Sequence, residues 1–220
     1  MTAHPSNLSG SQLDRIVQNN RRQKVSETDT FTEERYAQMA LTLPKGEITV
    51  LDVGCGLGRG GKVIRALRQE ITMIGLDCVS ERVMALDPQV YSKGHVGFTQ
   101  DLPFEDRSLD AIVAGEFLEH VPPALIEATL CEFFRVLKLR GVFTMTTPNP
   151  RYLKNRMGGL SILSDPSHVT QHYPEILRQR LMGIGFSGLQ IKGSGKVSRY
   201  LGVRFPLAFY GSYLLTATKW

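Results

Sequence analysis

Glu116, Glu119 and His120 stand at i, i+3 and i+4 in GEFLEHVPP, and His168 and His172 follow in SDPSHVTQHY. If the chain turns helical there, the first three point to one side. Two acids with one or two histidines can coordinate Mg²⁺, Mn²⁺ or Zn²⁺, which makes Glu116, Glu119, His120 and His168 a candidate metal set. Without a metal, His120 or His168 can act as a general base, since imidazole titrates near neutral pH; Glu119 joins these two as a catalytic candidate. Purely structural or ligand-contacting roles are the third reading. A second cluster lies upstream in VLDVGCGLGRG, residues 50–60, where Gly54, Gly56 and Gly58 alternate directly after an apolar run. Glycines there let the backbone turn sharply and approach a ligand, and the following helix offers free amides. The dinucleotide pattern G-x-G-x-x-G fails because its last glycine position is Arg59, and no G-K-[ST] follows for a phosphate loop. Asp52, two residues before Gly54, would repel a pyrophosphate but suit a ligand carrying an ammonium and a sulfonium.

These groups need a scaffold, and the apolar runs supply one. ITVLDVG (48–54), ITMIGLD (71–77), HVGFTQD (95–101), DAIVAGE (110–116) and GVFTMTTP (141–148) read as strands. Most are continuous rather than alternating, as expected for strands covered on both faces. Helical stretches lie between them: GKVIRALRQE, VSERVMAL and ALIEATLCEFFRVLK, the last with Leu125, Ala128, Leu130, Phe133, Phe134 and Leu137 near one face. A further helix, YPEILRQRLMGIG, precedes two strands near 188–193 and 211–218. The pattern predicts a Rossmann-like α/β fold: a seven-stranded, mostly parallel sheet with helices on both faces and the last strand antiparallel. Residues 1–30 read as an arm, partly disordered or a lid, and 31–220 as a single domain. Within that domain Thr30 or Thr32 is expected to cap a helix carrying Phe31, Tyr36, Met39 and Leu43 inward. Residues 149–172 form the longest irregular stretch and suit a substrate loop, with Arg151, Lys154 and Arg156 available for an anionic group.

Composition narrows the field. The 220 residues suit one domain, and three scattered cysteines, Cys55, Cys78 and Cys131, suit reduced thiols in a cytoplasmic protein. The N-terminus has no apolar core of a signal peptide, and no run is long and apolar enough to span a bilayer. LGVRFPLAFYGSYLL (201–215) comes nearest; interrupted by Arg204 and Pro206, it can touch an apolar substrate or a membrane surface peripherally. A net charge of +5 without basic-aromatic interleaving or an appended RNA-binding module argues against nucleic acid.

VLDVGCGLG, IGLDCVSERV, TQDLPFEDRSLDAIVAGEFLEHV and EFFRVLKLRGVFTMTTPN, in this order and spacing, resemble the motifs of the class I S-adenosylmethionine-dependent methyltransferases. The resemblance covers residues 48–148 firmly and the remainder more loosely. It departs at Leu139-Arg140, where the family usually has Pro-Gly before Gly141. It implies S-adenosylmethionine as cofactor, with Asp77 on the ribose hydroxyls and Asp101, with Leu102 beside it, at the adenine. Asp52, Gly54, Cys55, Gly56, Gly58, Cys78 and Glu116 complete the implied cofactor set. Asp77 lies 19 residues beyond Gly58, about the reach of one helix and one strand. The E-x-x-E-H block with a later histidine is also similar to the metal site of small-RNA 3′-terminal 2′-O-methyltransferases and to the ubiquinone-pathway O-methyltransferases. The expected activity is methyl transfer to a hydroxyl of a small metabolite or sugar. The alternatives are an RNA 2′-O-methyltransferase and a non-catalytic S-adenosylmethionine-binding regulator. The acceptor's identity and the oligomeric state are left open by the sequence.

Overall fold

The computed structural model describes residues 9–22, 30–195 and 197–220. Of the expected arm, residues 1–8 and 23–29 lie outside the described residues. Seven strands form one sheet in the order β3-β2-β1-β4-β5-β7-β6. They are β1 (Thr49–Val53), β2 (Thr72–Asp77), β3 (Tyr91–Val96), β4 (Leu109–Gly115), β5 (Leu137–Pro148), β6 (Phe186–Ser194) and β7 (Ser212–Lys219). The first five are parallel, and β7 runs antiparallel to both β5 and β6. The helices are α1 (Gly10–Arg22), α2 (Thr32–Ala40), α3 (Arg59–Leu67), α4 (Ser80–Met84), α5 (Ile126–Val136), α6 (Leu153–Met157) and α7 (Pro174–Ile184), with a single turn at Ser198–Leu201.

The two-residue period of β1 divides the core. Leu51 and Val53 join Leu130 and Phe133 of α5 and Leu177 and Leu181 of α7 on one face. Val50 joins Tyr36 and Met39 of α2 and Ile64 of α3 on the other. Helices on both faces explain why the strand runs read as continuous apolar segments.

Several sequence expectations shift. β3 begins at Tyr91, earlier than the expected 95–101, because this edge strand is exposed at most positions and carries no apolar run. α5 stops at Val136, and β5 starts at Leu137 rather than Gly141. Arg140 takes φ +65 there, a left-handed conformation that glycine adopts more readily. Neither Thr30 nor Thr32 caps α2: Phe31 is the N-cap residue and makes no side-chain cap bond, although Tyr36, Met39 and Leu43 are buried as expected. The 149–172 stretch is partly built, with α6 and a 3-10 turn at Ile162–Ser164.

Asp52 takes its side chain to the α2/α3 face, opposite Leu51 and Val53. Tyr36 donates to Oδ1 at 2.9 Å and Tyr91 to Oδ2 at 2.6 Å. The glycines make room for this bridge. A Cβ on Gly60 would sit 2.1 Å from the Tyr36 ring, and one on Gly61 2.1 Å from the Tyr91 hydroxyl. Burial pushes the Asp52 carboxyl up to about 6, partly opposed by the two tyrosine hydrogen bonds. A carboxyl raised on folding adds stability below its unfolded value near 4 and loses it as pH rises through 6. The rise from 3.8 to about 6 makes this roughly 3 kcal/mol, nearly all of it lost between about pH 4 and pH 7, at the usual 1.36 kcal/mol per pKa unit. Asp52→Asn is therefore expected to flatten the pH dependence of unfolding over this window. Denaturant melts of both proteins at matched pH check it; parallel curves would refute it.

Candidate active site

A cavity of about 390 Å³ opens at the C-terminal ends of β1, β2 and β4, where open α/β sheets bind ligands. Gly54, Cys55 and Gly56 form one wall, with Gly54 at φ +67 and Gly56 at φ +53, conformations suited to glycine. Asp77 and Cys78 form the next. Asp77 is buried at the end of β2; its Oδ2 accepts from the Gly56 amide at 3.0 Å, and its Oδ1 accepts from the Val79 amide at 2.9 Å. The Arg82 guanidinium of α4 lies 3.7 Å from Asp77 Oδ2. Burial pushes the Cys55 thiol up and the Cys78 thiol up to about 12, so both stay neutral, as reduced, unreactive cysteines should.

The opposite wall is the turn after β4. Glu116 takes φ +49 and leaves the helical path, so its carboxylate does not join the side shared by its neighbours. Its Oε1 pairs with Arg35 Nε at 3.5 Å, and Ser212 donates to Oε2 at 3.2 Å. Leu118–His120 then form one 3-10 turn. Glu119 is fully buried; Thr147 donates to Oε2 at 3.0 Å, while Oε1 has no hydrogen-bond partner among the described residues. Burial, then the Glu116 charge, raise its carboxyl well above the usual range. His120 Nδ1 meets the Ser167 carbonyl at 2.9 Å, and His168 Nδ1 meets the Ile162 carbonyl at 2.9 Å. A carbonyl only accepts, so both Nδ1 atoms carry the proton in the neutral rings, and both Nε2 atoms present lone pairs. The rings lie 5.0 Å apart. Burial lowers the His120 pKa and favours that neutral form.

The structure brings Glu119, His120 and His168 together, with one ligand atom from each within 4.8 Å of the others. The set could hold a divalent cation: Glu119 offers an oxygen with no partner among the described residues, and both histidines are oriented through Nδ1. Glu116 falls outside it because its strained backbone and Arg35 hold it apart. His172 does too: it is buried behind the site, its Nε2 near Thr170 Oγ1 and the Leu118 carbonyl, and burial lowers its pKa to about 4. Four residues of the expected cofactor set do not line the cavity: Asp52, Gly58, Asp101 and Leu102. Asp52 is held by its two tyrosines, and Gly58 clears space for Tyr91, whose ring would meet a Cβ at 2.8 Å. Leu102 is core, and Asp101 is exposed; Phe98, Thr99 and Gln100 line the wall in their place.

Sequence reading missed Arg35 and Tyr36 of α2, Arg82 of α4, and Ile16 and Asn20 of α1, all in the cavity wall. α1 arrives through a backbone contact, Arg82 donating to the Asn20 carbonyl at 2.7 Å, and an Arg21–Glu81 ion pair at 2.8 Å. Only Arg82 carried a local signal, one helical turn past the Asp77 strand end.

A doubly wound sheet with a glycine turn after β1, an acid ending β2 and a cavity between them defines the nucleotide-binding class of α/β fold. Residues 51–145 match the family described as a methyltransferase domain. The chain is 35% identical over 106 residues to a fatty-acid O-methyltransferase of Mycolicibacterium smegmatis, covering 47% of this chain and 38% of that protein. It is 31% identical over 183 residues to a sterol 24-C-methyltransferase of Clavispora lusitaniae, covering 76% and 47%. The chain thus spans less than half the length of these relatives. A Haemonchus contortus phosphoethanolamine N-methyltransferase 2 structure in complex with S-adenosyl-L-methionine superposes with a TM-score of 0.67 at 14% identity, over 97% of this chain and 60% of that one. The methyltransferase-domain match over residues 51–145 and this fold support a class I S-adenosylmethionine-dependent methyltransferase domain with S-adenosylmethionine as its cofactor.

Proposed function

We propose that this domain transfers a methyl group from S-adenosylmethionine to a hydroxyl of a small acceptor bound between the glycine turn and the His120–His168 pair. The observation that carries this reading is the shared cavity: the donor wall (Gly54, Gly56, Asp77) and the oriented histidines face one space. The cofactor supplies an activated methyl on a sulfonium, so the protein's task is alignment, exclusion of water and handling of the acceptor proton. In this reading Asp77 takes the ribose hydroxyls, Gly54, Cys55, Gly56, Cys78 and Glu116 surround the cofactor, and a neutral imidazole of His120 or His168 receives the hydroxyl proton at Nε2. Val121, Pro122, Leu125 and Ile16 give the acceptor side an apolar wall. That wall suits hydroxylated lipids as well as metabolites, in keeping with the fatty-acid and sterol enzymes among the relatives. A second reading rests on the unpartnered Glu119 oxygen: Glu119, His120 and His168 would hold a divalent cation, whose chemistry is to lower the pKa of an acceptor hydroxyl.

Titration calorimetry with S-adenosylhomocysteine tests the donor half. Micromolar binding is expected, with Asp77→Ala weaker by about a hundredfold, the loss of two charge-assisted hydrogen bonds. No heat from the unaltered protein would sink the proposal.

A further inference from the structure

The surface beside the cavity carries a feature that methyl transfer does not require. Residues 149–164 contain three cations and no acid, and residues 197–211 contain two, Arg199 and Arg204, and no acid. The fold places these two stretches side by side. Asn149 at the end of β5 donates to the Leu207 carbonyl at 2.8 Å and the Tyr210 carbonyl at 3.0 Å, and α6 packs against the Leu207–Phe209 turn.

Both stretches turn large apolar side chains to solvent. Met157 is 86% exposed, with Leu160 and Leu163 beyond it, and Tyr200 is 73% exposed, with Phe205 and Phe209 following. The rings of Phe205 and Phe209 meet edge to face with centroids 5.0 Å apart. Lys154, Arg156 and Arg204 are exposed among them and have no acidic partner among the described residues. Arg151 and Arg199 are the cations here that do pair, with Glu175 and Glu34.

We propose that this face docks on an anionic phospholipid bilayer. Apolar side chains exposed together mark an interaction surface rather than scattered residues. Unpaired cations between them complement lipid phosphates, and phenylalanine, tyrosine and methionine can enter the headgroup layer while the arginines remain at its surface. The charge pattern selects the bilayer over a second copy of this chain, since two such faces would repel. The 149–172 stretch that opens this face ends in Asp165, Ser167 and His168 in the cavity wall, so docking would hold the acceptor entrance against the membrane. The inference does not depend on which acceptor is methylated.

Flotation of the full chain with vesicles tests it, using pure phosphatidylcholine and phosphatidylcholine with roughly 30% phosphatidylglycerol. Binding to the anionic vesicles is expected to exceed neutral binding at least tenfold and to weaken when salt rises from about 0.1 to about 0.5 M. Each neutralised arginine should cost about fivefold, so Arg156→Gln with Arg204→Gln loses about 25-fold. Met157→Ser with Phe209→Ser should lose binding at either salt concentration. Both variants are expected to bind S-adenosylhomocysteine as the unaltered protein does, which separates lost docking from lost folding or lost donor binding. Absence of vesicle binding, or binding unchanged in both variants, would overturn the proposal. So would a concentration-dependent dimer abolished by Met157→Ser with Phe209→Ser, or tighter binding of a single-stranded RNA oligomer than of the anionic vesicles.

Discussion

His120→Ala is expected to lower the rate of methyl transfer by about 10²- to 10⁴-fold, the usual worth of a positioned proton acceptor. His168→Ala should approach the same loss, since the two rings share the acceptor wall and their Nδ1 atoms are fixed in the same way. S-adenosylhomocysteine affinity should change by less than about threefold in either variant, because the donor wall on Asp77 and the glycine turn is untouched. A panel of a hydroxy fatty acid, a sterol, a catechol and a glycoside supplies the acceptor for the measurement. Adding a chelator separates the two roles proposed for the histidines. If they act as bases, turnover is indifferent to chelation and Glu119→Gln retains most of it. If they hold a cation, chelation removes turnover, added Zn²⁺ or Mn²⁺ restores it, and calorimetry with the metal alone shows binding that Glu119→Gln loses. Rates within fivefold of the unaltered protein for His120→Ala, His168→Ala and Glu119→Gln together would remove this wall from the chemistry.

Gly60→Ala is expected to destabilise the domain by about 3 kcal/mol, at the upper end for an overpacked core. The new methyl would sit 2.1 Å from the Tyr36 ring. That ring cannot swing aside at little cost: it is 5% exposed, and its hydroxyl is committed to Asp52. A Cβ on Gly115 would press on the same ring from β4 at 2.6 Å, so the ring is confined from two sides. For a chain of this size the loss corresponds to a fall of about 6–12 °C in the melting temperature. The control reverses the sign. In a Tyr36→Ala background the obstacle is gone, and Gly60→Ala should stabilise by about 0.5–1 kcal/mol, the ordinary gain of alanine over glycine in a helix. A penalty that persisted in that background would place the strain somewhere other than Tyr36.

Much of the architecture was written in local pattern. Runs such as ITMIGLD announce doubly covered strands because both faces of a parallel sheet are dry, and glycines after such a run announce a tight strand-to-helix turn. The position of Asp77 was legible because a strand of fixed rise brings its last residue to the edge where the cavity opens. Edge strand β3 was misplaced because water replaces one of its covers and erases the apolar signal.

Side-chain partners across the fold were beyond that reading. Asp52 looked like a ligand-facing acid by its distance from Gly54, yet the two-residue period of β1 and the tyrosines of α2 and β3 turn it inward. Glu116 looked equivalent to Glu119 by spacing, but one left-handed residue and Arg35 separate them. The sequence alone determined the sheet, the glycine turn and the cofactor, all of which depend on periodicity and contiguous motifs. Only the tertiary structure decided which acid meets which histidine, which glycines make room for tyrosines rather than for a ligand, and which two basic stretches share a face. Those pairings join residues dozens of positions apart, and their energy exists only after the chain has closed around them.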